Sequence, residues 1–121
     1  MTVHVAPIAA ILVHVDDVEA GLRWYARAFP RATRSSGNGG AAECLYLEGV
    51  QIELVPADAK VGSGPFGSVV YWKVAHFQTA LEHLLVVGAK LYRGPLEIEN
   101  SESMCQVQDP WGNCIGIRGR R

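Results

Sequence analysis

The sequence predicts an α+β chain made of two tandem β-α-β-β-β modules. Three observations carry this. Each half shows an apolar strand-like run, then a helical stripe, then three more strand-like runs; Val15 and Leu22 in the first half keep the spacing of Val74 and Leu81 in the second; and a Gly-rich stretch joins the halves. A chain of 121 residues can bury one core, or two small halves sharing one. The expectation is therefore one domain over 1–121, with module one at about 6–57, a linker at about 58–66 and module two at about 67–119.

"IAAILVHV" (Ile8 to Val15) is β-branched, apolar and too short for a helix, so it reads as a strand. The acidic pair Asp16 and Asp17 follows, and Glu19 stands three residues after Asp16 as in a capping box. Val18, Leu22, Tyr25 and Phe29 then recur at helical spacing until Pro30 stops the run. A short strand is expected around Ala32 to Ser35, then the loop "SSGNGG", then the strands "AECLYLEG" and "VQIELVP" with Gly49 turning between them. "ADAKVGSGPFG" supplies the connection. In the second half "SVVYWKVA" is a strand, and "HFQTALEHLLVVGA" puts Phe77, Leu81, Leu84 and Leu85 on one helical face, with Gly88 closing the helix. "KLYRGPLEIE", "SMCQVQ" and "NCIGIR" complete the module. Before the last strand, "DPWGN" (Asp109 to Asn113) reads as a hairpin turn, in which Pro110 has its φ already fixed and Gly112 can take a positive φ.

Composition excludes several classes. Hydrophobic residues at 49% and charged residues at 19% describe a chain that folds. A net charge of −1 gives no positive field for nucleic acid or anionic lipid, and the terminal "RGRR" is read as a solvated tail. Three cysteines without a C-x-x-C pair suggest neither a disulfide framework nor a thiolate zinc site. No secretory leader and no membrane span is recognised, so the expected location is the cytoplasm. The glycine-rich loops lack G-K-S/T, and no serine sits in a G-x-S-x-G elbow. Of the histidines His4, His14, His76 and His83, none has the spacing of a local ligand pair, and only His14 lies on a strand.

With "HVDDVEAGLRWYARAFP" at the first strand-helix junction and the D-P-x-G-N turn before the final strand, the chain resembles the vicinal-oxygen-chelate superfamily, which includes glyoxalase I, extradiol dioxygenases and bleomycin-resistance proteins. The resemblance runs from Ile8 to Gly119. It implies a half-open curved sheet whose concave face shelters a ligand and whose convex face is covered by helices, and it implies a homodimer. Residues two apart on a strand share a face. Ala10, Leu12 and His14, then Gln51, Glu53 and Val55, then Val69, Tyr71 and Lys73, and finally Cys114, Gly116 and Arg118 are expected on the concave side.

Metal-dependent members of that superfamily carry one ligand on the first and last strand of each module. The resemblance maps these onto Ala10, Glu53, Val69 and Gly116, of which only Glu53 has a donor atom. No metal and no cofactor is expected. The candidate ligand-binding residues are Glu53, His14, Leu12, Tyr71, Lys73, Trp111 and Arg118, and catalytic residues are not assigned. The ordinary reading of Glu53 is a half-buried carboxylate neutralised by Lys73 or Arg118; the sharper one is recognition of a cationic or hydrogen-bond-donating ligand. The expected function is a metal-independent, glyoxalase/bleomycin-resistance-like protein binding a small molecule in the cleft of a homodimer. The alternatives are a metal-dependent glyoxalase- or dioxygenase-like enzyme, or a metal-free lyase or isomerase using Glu53 or His14 as base.

Overall fold

The computed structural model describes residues 8–35 and 43–121. His4, the first residues of module one and most of the loop "SSGNGG" lie outside the described residues. The chain divides into two compact units, with the boundary between Val61 and Gly62.

In the first unit, β1 (Ile11–Val15) leads into α1 (Val18–Ala28), followed by β2 (Thr33–Ser35), β3 (Cys44–Leu47) and β4 (Val50–Pro56). The sheet order is β1-β4-β3-β2, with β1 parallel to β4 and the other pairs antiparallel. The first module thus has the expected composition. Its helix starts one residue later than the acidic pair suggested: Asp17 is the cap, and its Oδ1 accepts from the Ala20 amide at 3.0 Å. Glu19 is therefore no capping-box partner; it pairs instead with Arg34 at 2.7 Å and Arg23 at 3.5 Å. Leu22, Trp24, Tyr25 and Ala28 are buried with Val15, Leu45, Ile52 and Leu54. Gly21 allows the close approach: a Cβ there would stand 3.1 Å from Val15 and 3.2 Å from Leu54.

In the second unit, β5 (Tyr71–His76), α2 (Phe77–Val86), β6 (Lys90–Ile98), β7 (Glu102–Gln108) and β8 (Cys114–Arg120) repeat the plan, with sheet order β5-β8-β7-β6. The parallel pair is now β5 with β8, the counterpart of β1 with β4. Phe77, Leu81 and Leu84 are buried with Cys105, Val107, Ile115 and Ile117. Leu85, expected on the same face, is 43% exposed: the sheet covers only the arc through Leu81 and Leu84. Gly88 follows the cap residue Val87 with φ at 107°, as a helix-closing glycine does. The architecture is α+β with two tandem modules, as the sequence predicts.

The Asp109–Asn113 turn is held by more than its backbone. Asp109, 4% exposed, accepts from the Trp111 amide at 2.8 Å, the Asn113 amide at 2.9 Å and Asn113 Nδ2 at 2.9 Å. Gly112 has φ at 89°, in the left-handed region that glycine adopts without strain.

Candidate functional site

Strand alternation sorts each sheet into a helix-covered face and a helix-free face. In the first unit Val15, Ile52 and Leu54 are buried on the α1 side. Leu12 and Glu53 are register partners on the other side, as are His14 and Val55, so three expected site residues share one face. Leu12 is 52% exposed there, and His14 and Glu53 are half-buried.

Glu53 finds its hydrogen-bond donor on its own strand. Gln51 Nε2 donates to Glu53 Oε2 at 2.5 Å, and Gln51 Oε1 accepts from the Tyr46 hydroxyl at 2.8 Å across the β3–β4 pair. Gln51 thus donates to the carboxylate while its own oxygen is held by Tyr46. A hydrogen bond with Cys44 is the main cause holding the Tyr46 phenol above its ordinary pKa, followed by the charge of Cys44, burial and the charge of Glu53. His14 lies near the loop after β4, where Asp58 has its carboxyl lowered chiefly by the Val61 and Lys60 amides, with a smaller effect from His14. Of these contacts the sequence reading lacked the role of Gln51, although alternation already placed Gln51 on the face of Glu53.

Arg118, one of the two cations expected to neutralise Glu53, is engaged by acids of its own unit. Its Nε donates to Glu102 at 3.1 Å and its Nη2 to Glu99 at 3.2 Å, both acids coming from the β6–β7 hairpin of its own unit. A β-strand alternation pattern names the face a side chain uses but not its partner, and these two carboxylates lie within reach of the guanidinium.

In the second unit Tyr71 and Lys73 lie on the helix-free face beside their register partners Gly116 and Arg118. The Tyr71 ring lies across Gly116: a Cβ there would stand 2.6 Å from ring carbons Cγ and Cδ2. The phenol oxygen reaches past β8 to accept from Gln106 Nε2 at 2.9 Å. Gln106 was not among the expected site residues; its register opposite Gly116 was the missing signal. Trp111 is half-buried at the tip of the β7–β8 turn.

No family model matches the sequence, and no curated protein matches it. Solved structures do. A glyoxalase/bleomycin resistance protein/dioxygenase family enzyme from Burkholderia phytofirmans matches with a TM-score of 0.77 at 15% identity, covering 96% of this chain and 100% of its own. A putative glyoxalase family protein from Bacillus anthracis matches with a TM-score of 0.75 at 12% identity over 100% of both chains. A glyoxalase-related enzyme from Fulvimarina pelagi matches with a TM-score of 0.73 at 19% identity, covering 96% of this chain and 89% of its own. The chain has the glyoxalase/bleomycin-resistance/dioxygenase fold. At these identities the likeness is one of fold, and a fold hosts many functions.

Metal-dependent proteins of the glyoxalase/bleomycin-resistance fold raise the question of whether these residues fit an ion. They do not. Of the four mapped positions Ala10 and Val69 carry only hydrocarbon and Gly116 carries no side chain, so Glu53 alone has a donor atom; within the second unit the Tyr71 ring lies over Gly116. Among the described residues, no three of His, Cys, Asp and Glu gather closely enough to hold a metal. One carboxylate with water does not make a competitive divalent site. Among the described residues no helix is long and apolar enough to cross a membrane.

Proposed function

We propose that the protein is a metal-independent small-molecule-binding protein of the glyoxalase/bleomycin-resistance type. In this reading it works in the cytoplasm as a homodimer, a second copy of the chain completing the ligand site. Glu53 anchors a cationic or hydrogen-bond-donating group, and Leu12 and Tyr46 offer apolar surface on the same face. The observation that carries this reading is the Tyr46–Gln51–Glu53 chain. Two side chains orient the carboxylate through Oε2, while among the described residues Oε1 takes no hydrogen bond and remains as an acceptor. A half-buried acid held in this way is prepared for a donor that the described residues do not supply. The three cysteines are free, which suits a reducing compartment.

A thermal-shift screen of aromatic amines, cationic antibiotics and divalent metals, run with and without a chelator, tests the proposal. A ligand at a hundred times its dissociation constant stabilises by about 2.7 kcal/mol. The expected hit is an organic cation, unaffected by chelator and weakened in Glu53→Gln. Stabilisation by a divalent ion alone, lost on chelation, overturns the metal-independent reading, and a monomer by light scattering in the presence of the hit overturns the shared site.

A further inference from the structure

The helix-free face of the second sheet carries a different chemistry. Tyr71, Gly116, Gln106 and Arg93 are successive register partners, forming one row across β5, β8, β7 and β6. Adjacent strands lie about 4.8 Å apart, so the phenol, anchored on Gln106, ends one strand short of Arg93. Because the phenol oxygen accepts from Gln106 Nε2, its own proton is left for another acceptor. Arg93 is exposed and, among the described residues, meets no carboxylate. The same holds for Lys73, one row away on β5, and for Lys90, the register partner of Gln108. Arg118 differs, its charge being met by Glu99 and Glu102. This face thus carries three cations without an acid partner among the described residues, Arg93 being the one in the row of a phenol with a proton to give. Beside them, in the row of Lys73, Met104 and its register partner Leu96 add apolar surface, Leu96 being 49% exposed.

We infer that this face binds an organic carboxylate, with its oxygens on the Arg93 guanidinium and the Tyr71 hydroxyl and its apolar body over Met104 and Leu96. A guanidinium matches a carboxylate in a planar, two-bond geometry, and such charge-assisted bonds are roughly twice as strong as neutral ones. Tyr71 can lie flat enough to serve because Gly116 has no side chain. The Gln106 bond then fixes which way the hydroxyl points. The inference goes beyond the function proposed above and does not require Glu53 to bind anything.

The test is an NMR titration of the full-length protein with 3-phenylpropanoate, compared with the neutral 3-phenylpropanamide. Saturable shifts are expected at the Gln106 side-chain amide and along β6, and the amide should bind at least about tenfold more weakly. Arg93→Gln, a substitution at an exposed position outside the core, should weaken the carboxylate about tenfold. Tyr71→Phe, which keeps the ring over Gly116 and removes only the hydroxyl, should weaken it by a factor of about three to ten. Equal binding of acid and amide, wild-type affinity in Arg93→Gln, or the absence of saturable shifts at these positions overturns the assignment.

Discussion

Replacing Gly116 with alanine should expose the dependence of the second sheet on the Tyr71 ring. The new Cβ would stand 2.6, 2.6 and 2.8 Å from the Tyr71 carbons Cδ2, Cγ and Cδ1. Carbon pairs rest at about 3.5–4.0 Å, so the ring must withdraw by about 1 Å. Overpacking of this kind costs about 1–3 kcal/mol. The displaced phenol also loses the 2.9 Å bond from Gln106, worth about 1 kcal/mol net. Against this, alanine restricts the unfolded chain and returns about 0.4–1 kcal/mol. The net expectation is a destabilisation of about 1–3 kcal/mol. In a Tyr71→Ala background the ring is gone, and the same substitution should become neutral or stabilise by about 0.5 kcal/mol. Urea denaturation of the wild type, both single variants and the double variant closes the cycle, with a coupling of about 2 kcal/mol expected. A coupling within about 0.5 kcal/mol of zero would mean that the ring does not depend on the glycine, and the argument for an obstructed donor position would fail with it.

Asp109→Ala removes the acceptor of three hydrogen bonds inside the β7–β8 turn; with half-buried donors left behind, chemical denaturation should read a loss of about 2–4 kcal/mol, and Asp109→Asn should recover part of it. The Arg34 hydrogen bond is the largest cause holding the Glu19 carboxyl below its ordinary value of 4.5, with Arg34 and Arg23 charges adding and burial opposing. A carboxyl whose folded value is depressed contributes stability that is present above the unfolded value and is lost as pH falls through the folded one. The contribution of Glu19 should therefore disappear only below about pH 4.5, and an NMR titration should find its midpoint moving up toward the ordinary value in Arg34→Gln.

Much of this fold was legible because hydrophobic period decides element type, and both modules repeat the same periods. The errors fall where two residues could fill one role. Asp16 and Asp17 are both competent caps; Asp17 takes the position because its carboxylate reaches the Ala20 amide, which frees Glu19 for Arg34. Leu85 obeys the helical period, but the period does not say how wide an arc the sheet covers. Partner choice was the least legible, since alternation placed Glu53, Gln51, Tyr71 and Gly116 on their faces without saying which would touch. Register supplies that step, and it also explains why the two modules differ. The shared spacing of Val15 and Val74 makes Leu12 the counterpart of Tyr71, just as Ile52 and Ile115 make Glu53 the counterpart of Gly116. In the first sheet a leucine lies beside a carboxylate, and in the second a large ring lies over no side chain at all. On this exposed face the space left by the missing side chain is covered by the ring of the adjacent strand. The carboxylate could therefore not be restored at Gly116 by a single substitution: Tyr71 would first have to leave, and with it the hydroxyl on Gln106 that gives the second sheet its polar centre.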